Sequence, residues 1–318
     1  MKRIPAALLA EIKRAKKILI ISHIDPDCDA TGSALALKRI LAKKNKAATL
    51  FCASPISTLY KFLPGVGSYT QKLPKGRVGL SIALDCGAFH RTGIPQEKRG
   101  QLGILANIDH HSDNALFGDI NYIVNVSATA ELVYYLARAL KVAIDPHTAA
   151  CLYAAIMTDT GNFCYDNVSA ATFGLAQKLV EAGARTNFIA QKVYENRSLS
   201  AMKMLGLALE SIEAYERGAV AMVALRKGWF SVSRPADDDT NGIIDHIRAI
   251  AGVEVAVLLR EMSDGRIKVN FRSKGHANVQ KIARTLGGGG HIRASGAILR
   301  MPLFQAKKRI LRTIHQNL

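Results

Sequence analysis

The stretch that decides the fold is Gly103-Ile104-Leu105-Ala106-Asn107-Ile108-Asp109-His110-His111, an apolar run that ends on one acid and two histidines. Short apolar runs of this kind are typical of strands buried on both faces of a parallel sheet. Two earlier runs end in a similar way: residues 18–21 precede Ser22-His23-Ile24-Asp25-Pro26-Asp27-Cys28-Asp29, and residues 78–84 end just before Asp85. Because parallel strands deliver their carboxyl ends to one edge of a sheet, we expect these side chains to share one site.

The first half of the chain alternates such runs with helical patterns. The predicted strands are 18–21, 47–51, 78–84 and 104–108, and the predicted helices are 29–41, 129–140 and 148–157. This order predicts an α/β domain with a doubly wound, mostly parallel sheet. The last of these helices runs into Thr158-Asp159-Thr160-Gly161, which adds another acid at the end of an element.

The second half of the chain has a different pattern of predicted helices and strands. Helical patterns continue over 170–182 and on to about residue 214, and they predict a helical connector. The strands expected beyond it are 219–225, 253–260 and 267–271, and the helices are 243–250, 279–286 and 304–316. This pattern predicts a smaller α+β domain with a partly antiparallel sheet. The expected organisation is therefore a first domain over 1–185, a helical linker over 186–215 and a second domain over 216–318.

Composition narrows the class of protein. A chain of 318 residues with 49% hydrophobic residues suits two globular domains. No apolar stretch approaches the ~20 residues of a membrane helix, and Glu11 and Lys13 interrupt the N-terminal apolar run too early for a secretory leader. The five scattered cysteines favour a reducing compartment, so we expect a cytoplasmic protein without a membrane partner. The net charge of +18 predicts attraction to polyanions.

The acids and histidines at these element ends suit a metal site. Oxygen and nitrogen ligands without thiolate pairs favour Mn²⁺, Mg²⁺ or Zn²⁺. Two such ions ~3.5–4 Å apart need one bridging carboxylate and several terminal ligands, and they activate water against a phosphate ester. A simpler alternative for Asp25, Asp27 and Asp29 is a role in the loop and the N-cap of the next helix. The candidate ligands are His23, Asp27, Asp29, Asp85, His110 and Asp159.

A glycine run marks the second domain. It reads Leu286-Gly287-Gly288-Gly289-Gly290-His291-Ile292-Arg293. Successive backbone N–H groups can enclose an anion, and Arg272-Ser273-Lys274 ends the preceding strand. We therefore expect a phosphate-binding clamp here, the alternative being a flexible loop between a helix and a strand.

Taken together, these motifs resemble the DHH phosphoesterase family over nearly the whole chain. The resemblance rests on His23-Ile24-Asp25-Pro26-Asp27, Leu84-Asp85-Cys86-Gly87, Asp109-His110-His111 and Thr158-Asp159-Thr160-Gly161, in that order. The glycine run with Arg272-Ser273-Lys274 is similar to the DHH-associated C-terminal domain. Size and layout are most similar to the branch of bifunctional oligoribonucleases and pAp phosphatases, the nano-RNases. That branch uses Mn²⁺ to cut short RNA or the 3′-phosphate of pAp.

The resemblance also implies roles for individual residues. His23, Asp27 and Asp85 would hold one manganese ion, and Asp29, Asp85, His110 and Asp159 the other, with Mg²⁺, Co²⁺ or Zn²⁺ as substitutes. Asp85 would thus bridge, Asp109 would orient the neighbouring histidine, and His111 would contact the scissile phosphate or protonate the leaving oxygen. The residues implied to bind the substrate are Arg91, Arg272, Ser273, Gly288, Gly289, Gly290 and His291. Asp25 is an additional acid with no role implied, and a homodimer is compatible with the family.

Three other functions remain open at the level of sequence. A manganese inorganic pyrophosphatase shares the N-terminal motifs, but its basic Ser-Arg-Lys-Lys-Gln-like motif is absent here. Linear dinucleotides from cyclic dinucleotide signalling, such as pGpG or pApA, are chemically almost identical to short RNA. A non-catalytic RNA-binding module would need exposed aromatic residues for base stacking, and the second domain has few.

Overall fold

A computed structural model describes residues 3–233, 240 and 242–317 of the chain. The chain divides into two compact units, Met1–Asn196 and Arg197–Leu318. This division falls within the segment 186–215 that was expected to connect two domains, and the exact domain limits stay a prediction. No helix in the described part of the chain is long and apolar enough to cross a membrane.

The first unit contains one sheet and six α-helices among its described residues. The strands are Lys17–Ser22 (β1), Ala47–Phe51 (β2), Tyr69–Thr70 (β3), Leu80–Leu84 (β4), Ile104–Asp109 (β5) and Ile120–Ile123 (β6). The helices are Ala6–Arg14 (α1), Cys28–Ala42 (α2), Thr129–Ala139 (α3), Pro146–Asp159 (α4), Ala170–Glu181 (α5) and Thr186–Tyr194 (α6).

The sheet of the first unit is entirely parallel, with strand order β3-β2-β1-β4-β5-β6. This confirms the predicted fold class and the four predicted strands. The two edge strands, β3 and β6, were not expected, because they are short and lack a long apolar run. The chain order reverses between β1 and β4, and open α/β sheets bind ligands outside the strand ends at such a point.

The two faces of this sheet are covered differently. The main core packs alternate strand residues such as Ile20 and Ile82 against the α-helices. A smaller cluster on the opposite face joins Leu19, Ile21 and Leu105 to Ile94 and Leu102. Its covering residues come from loops before and after β4 and from 3₁₀-helical turns, so short segments close the second face of the sheet.

Helices α2 and α4 approach each other closely at Gly32. A Cβ atom on Gly32 would lie 2.5 Å from the carbonyl oxygen of Cys151 and 3.2 Å from Cβ of Ala155. α2 carries Asp29 in its first turn and α4 ends at Asp159. The missing side chain at Gly32 therefore sets the distance between two candidate ligands.

Replacing Gly32 with Ala should lower stability, because the new methyl group overlaps a backbone oxygen. Overpacking of this kind costs about 1–3 kcal/mol. Gly174→Ala is the matched control, since its Cβ would enter open space on α5 and Ala is the better helix former. Thermal melting followed by circular dichroism should show a lower Tm for Gly32→Ala and an equal or higher Tm for Gly174→Ala. An unchanged Tm for Gly32→Ala would contradict the close-packing argument.

The second unit also contains one six-stranded sheet. Its strands are Glu213–Tyr215 (β7), Val220–Leu225 (β8), Val255–Glu261 (β9), Ile267–Ser273 (β10), Gly289–Gly290 (β11) and Ala294–Leu299 (β12). Its helices are Leu199–Glu210 (α7), Lys227–Ser233 (α8), Ile243–Ala249 (α9), Val279–Thr285 (α10) and Leu303–His315 (α11).

This second sheet is mixed, in order β11-β12-β10-β9-β8-β7, and only β8 and β9 pair in parallel among its described strands. The predicted partly antiparallel α+β domain is confirmed. One local expectation and one alternative interpretation were wrong. The helical pattern expected to reach residue 214 ends at Glu210, where β7 follows almost at once. The alternative of a flexible loop is wrong for part of the glycine run, because Gly289 and Gly290 form strand β11 and pair with β12.

Candidate metal centre

The acids and histidines of the first unit meet at one edge of its sheet. Strands β1, β4 and β5 are neighbours and parallel, so their carboxyl ends lie together as expected. α2 follows β1 directly, and α4 ends at the same place. All six candidate ligands belong to groups whose ligand atoms lie within 4.8 Å of one another. The residues so gathered are His23, Asp27, Asp29, Asp85, His110 and Asp159.

Asp85 lies between the two imidazoles of this cluster. Its Oδ2 is 3.7 Å from Nε2 of His23, and its Oδ1 is 3.4 Å from Nε2 of His110. The residue is 3% exposed and has a φ of +57°, in the left-handed region. Few residues other than Gly adopt this conformation, although Asp tolerates it better than most. The tight turn after β4 thus directs one carboxylate oxygen toward each histidine.

Two ligand groups form on either side of Asp85. Nε2 of His23 is 3.9 Å from Oδ1 of Asp27. Nε2 of His110 is 3.8 Å from Oδ2 of Asp29 and 3.4 Å from Oδ2 of Asp159. These separations exceed a hydrogen bond, yet they are below about 4.2 Å, twice a typical metal–ligand distance of ~2.1 Å. The spacing of the donor atoms therefore fits a cation in each group.

The ring orientations of both histidines also fit metal binding. Nδ1 of His23 lies 2.7 Å from the carbonyl oxygen of Ile24, and Nδ1 of His110 lies 3.1 Å from that of Val126. A carbonyl oxygen can only accept, so Nδ1 carries the proton and donates. The lone pair is then on Nε2, which faces the carboxylates. A hydrogen bond of this kind behind the ring is usual for metal-binding histidines.

Without an ion, this cluster holds protons at neutral pH. Burial and the nearby charges of Asp27 and Asp85 raise the pKa of Asp159 to about 7, although His110 acts in the opposite direction. Burial and the carboxylate of Asp85 raise the pKa of Asp29 well above its usual value. Burial alone would lower the pKa of His23, but Asp27 and Asp85 outweigh it and raise the pKa to about 10. A divalent cation would replace these protons.

Cation binding should therefore release protons and strengthen as the pH rises. Asp159 is protonated at pH 6 and ionised at pH 8, whereas His23 is protonated at both, so one proton fewer must leave from this pair at pH 8. Titration calorimetry with Mn²⁺ in buffers of different ionisation enthalpy should detect the release, and the apparent Kd should fall from pH 6 to pH 8. Asp159→Asn should bind more weakly and lose part of this pH dependence. A Kd that is constant between pH 6 and 8 would contradict the assignment.

Asp109 does not face the two ligand groups directly but lies behind His111. Its Oδ1 is 2.7 Å from Nδ1 of His111 and accepts the backbone N–H of His110 at 2.8 Å. Asn114 donates to Oδ2 at 2.6 Å. Burial would raise the pKa of Asp109, but the hydrogen bond from His111 outweighs it and holds the pKa below its usual value. Asn114 was not expected from the sequence, and its position three residues after His111 is the only signal it offers.

The N-terminus of α3 contributes a second set of contacts that sequence reasoning missed. The backbone N–H groups of Thr129 and Ala130 donate to Asp29 at 2.6 and 3.0 Å. The hydroxyl of Thr129 donates to Oδ1 of Asp85 at 3.0 Å. A helix N-terminus stabilises negative charge, so α3 compensates part of the carboxylate cluster. The predicted start of this helix at residue 129 was the available signal, but the partner of its first N–H, Asp29, lies 100 residues away in the chain.

The remaining predicted residues of the first unit occupy distinct positions. Arg91 lies beside the cluster, with a guanidinium nitrogen 3.2 Å from Nδ1 of His23. Asp27 is both a cluster member and the N-cap of α2, since Oδ1 accepts the N–H of Ala30 at 3.0 Å. The N-cap alternative and the ligand prediction thus apply to the same side chain. Asp25 is exposed and belongs to neither group.

The glycine run of the second unit is more ordered than a clamp of unpaired N–H groups. The N–H of Gly288 donates to Ala283 at 2.8 Å, and that of His291 donates to Ala294 at 2.7 Å. A Cβ on Gly288 would lie 2.0 Å from the carbonyl oxygen of Gly296. Close pairing of β11 with β12 therefore explains why glycine is needed here. The expectation of successive available N–H groups was wrong for Gly288 and His291.

The predicted substrate residues on β10 differ in exposure. Ser273 is 1% exposed, and its hydroxyl donates to the carbonyl oxygen of Ala277 at 2.8 Å. Arg272 is half-buried on the opposite face of the strand, 4.0 Å from Asp245 of α9. Arg272 can present its guanidinium to an anion, whereas Ser273 fixes the loop after the strand.

The chain belongs to the DHH family. Residues 17–156 match the DHH family N-terminal domain, and residues 231–318 match the DHHA1 domain. Phosphoesterases of this family are metal-dependent, in agreement with the acid and histidine cluster.

Two oligoribonucleases and PAP phosphatases align with this chain over nearly its whole length. The bifunctional oligoribonuclease and PAP phosphatase NrnA of Thermus thermophilus is 33% identical, over 98% of this chain and 94% of its own length. The protein of the same name from Bacillus subtilis is 26% identical, over 91% of each. Among solved structures, an exopolyphosphatase-related protein from Bacteroides fragilis is 26% identical with a TM-score of 0.90, covering 99% of this chain and 98% of its own. The resemblance to the DHH family and to its oligoribonuclease branch is thereby confirmed.

Proposed function

We propose that this chain is a two-metal phosphoesterase that hydrolyses short RNA oligonucleotides and removes the 3′-phosphate of pAp. The observation that carries the proposal is the position of Asp85 between two ligand groups. The name of the 33% identical relative supports the choice of substrates. The net charge of +18 favours capture of short polyanions, and added salt should weaken that capture.

Each of the two groups would hold one manganese ion. His23, Asp27 and Asp85 would hold one, and Asp29, Asp85, His110 and Asp159 the other, with Asp85 shared. Such a pair, when bound, supplies a nucleophile at neutral pH and stabilises charge on the phosphoryl oxygens. The carbonyl oxygens behind His23 and His110 keep each Nε2 aimed at its group.

His111 is suited to donate a proton to the leaving oxygen. Asp109 accepts from its Nδ1 at 2.7 Å, which fixes the ring and stabilises its positive charge. Burial alone would lower the pKa of His111, but Asp109 outweighs it and raises the pKa. The raised pKa favours the protonated imidazole, with Nε2 on the side of the ring away from Asp109. Arg91 and, in the second unit, Arg272 and His291 are proposed to bind the phosphates and the rest of the nucleotide.

The shared ligand is tested by Asp85→Asn, with Asp25→Asn as the matched control. Both aspartates have a left-handed backbone that Asn accepts, so the comparison isolates the carboxylate. Loss of a residue that hydrogen-bonds to a metal ligand lowers metal affinity or activity by about 10–100-fold. Loss of a ligand shared by two ions should therefore lower kcat by more than about 100-fold. Hydrolysis of a dinucleotide in excess Mn²⁺ measures this. Near-wild-type turnover of Asp85→Asn would refute the bridging role, whereas Asp25→Asn should remain active.

The proton donor is tested by His111→Asn with two substrates. General acid catalysis contributes about 10²–10⁴-fold, so cleavage of a dinucleotide should fall by that amount. Bis(4-nitrophenyl) phosphate releases a stable phenolate that needs no proton, so its hydrolysis should fall far less. The exposed His147 provides the control variant His147→Asn, which should match the wild type on both substrates. Equal losses on both substrates would exclude His111 as the acid.

The substrate class is tested by a parallel assay with Mn²⁺. The substrates are pAp, pGpG, pyrophosphate and labelled RNAs of graded length. We expect turnover of the shortest RNAs and of pAp, with pGpG cut as a short RNA. Exclusive turnover of pyrophosphate would overturn the proposal and favour an inorganic pyrophosphatase.

A further inference from the structure

The two faces of the second sheet are covered to different extents. On one face, the core packs β8, β9, β10 and β12 against α10 and α11. On the opposite face, a separate apolar cluster covers β8 and β9. That cluster joins Ala221, Val223, Leu225, Ala256 and Leu258 to Met204, Ala208, Ile243, Ile244 and Ile247 of α7 and α9. Within the described residues, this cluster includes no side chain of β10 or β12. Helix α9 reaches β10 near Arg272, 4.0 Å from Asp245, and the strand positions beyond Arg272 are only partly covered.

This partly covered area, which we call the open strand face, has a specific composition. It consists of Arg260, Lys268, Asn270, Gly296 and Ile298. β10 alternates buried residues with half-buried Lys268 and Asn270. The register places Arg260 and Ile298 on either side of Lys268, and Gly296 beside Asn270. Ile298 is 50% exposed, so the face combines cations, one amide and a flat apolar area.

Two polar side chains of this face are available to hydrogen-bond to a ligand. Among the residues that the structure describes, the side chains of Lys268 and Asn270 have no hydrogen-bond or ion-pair partner. The guanidinium of Arg260 lies over the ring of Phe230, 4.8 Å from its centroid. Glu261, which follows Arg260 in the chain, belongs to the opposite side of β9 and accepts the N–H of Lys227, and Asp264 pairs with Arg266. Asp245 borders the face near Arg272, 4.0 Å from its guanidinium.

The face is continuous with a residue of the proposed substrate site. Lys268, Asn270 and Arg272 occupy alternate positions on one strand, so their Cα atoms are spaced by about 6.6 Å. That spacing is similar to the distance between successive phosphates of an extended single strand. Two cations in one row suit phosphates, an amide suits base edges or ribose hydroxyls, and Ile298 beside Gly296 suits a base or sugar surface.

We propose that the open strand face binds the nucleotides of single-stranded RNA beyond the one held at Arg272. The inference rests on the proposed function and extends it, because this surface would make RNAs of about four or five nucleotides bind more tightly than dinucleotides. Lys268 contacts a phosphate of the longer RNA and does not contact a dinucleotide. An acidic protein partner is disfavoured because the face offers little exposed apolar area apart from Ile298.

Lys268→Ala tests this surface, with Lys281→Ala as control. Lys281 is exposed on α10, on the opposite face of the sheet, so the control removes the same charge elsewhere. Fluorescence anisotropy with a labelled RNA pentamer in EDTA measures binding without cleavage. Lys268→Ala should bind the pentamer about tenfold more weakly, and the salt dependence of log K should decrease by about 0.7, as for one lost contact to a single strand. Lys268→Arg should restore binding, and dinucleotide kcat/KM with Mn²⁺ should stay at the wild-type value.

The outcomes separate this surface from the proposed activity. If wild-type enzyme cleaves RNA and Lys268→Ala binds the pentamer like the wild type, the proposed RNA-binding role of the open strand face is refuted. The proposed enzymatic activity is then retained. Equal loss in Lys268→Ala and Lys281→Ala would also overturn it, because net charge alone would then explain the effect. If wild-type enzyme cleaves no RNA but Lys268→Ala specifically weakens pentamer binding, the surface stands and the proposed activity falls.

Discussion

The first unit depends on the cost of gathering four carboxylates, two of them buried, at one edge of a sheet. Like charges in a poorly solvated place cannot all stay ionised unless something opposite compensates them. The N-terminus of α3, the hydroxyl of Thr129 and two imidazoles supply part of that compensation. The rest is left to protons or to divalent cations, and this explains why a cluster so unfavourable by itself suits a metal-dependent family.

Three histidines in this cluster differ in their suitability for metal binding and proton transfer, because the acceptor of the Nδ1 proton differs. His23 and His110 donate from Nδ1 to neutral carbonyl oxygens and direct Nε2 at the carboxylates, where a cation would replace the proton of Nε2. His111 donates from Nδ1 to the carboxylate of Asp109, which favours a protonated ring. Adjacent residues in the sequence, His110 and His111, are therefore suited to opposite tasks, as ligand and as proton donor.

The glycine run and the open strand face show how the second unit presents a surface to a nucleotide. The close approach of β11 to β12 needs glycine at position 288. The N–H groups of Gly288 and His291 donate to Ala283 of α10 and to Ala294, so they are not available to an anion. Recognition then depends on side chains that the sheet projects from one face. Lys268 and Asn270 retain their hydrogen-bonding capacity because no described residue of the fold satisfies it.

The sequence by itself determined the parallel sheet of the first unit, the mixed second sheet and the identity of the acid and histidine cluster. Apolar runs that end in Asp or His specify a strand and its functional end together. The local order of residue types along the chain was therefore sufficient to predict both. The tertiary structure alone decided that α3 stabilises Asp29, that Asn114 supports Asp109, and that the glycines form a strand. Those contacts join segments far apart in sequence or arise from backbone pairing, and neither leaves a periodic pattern of residue types.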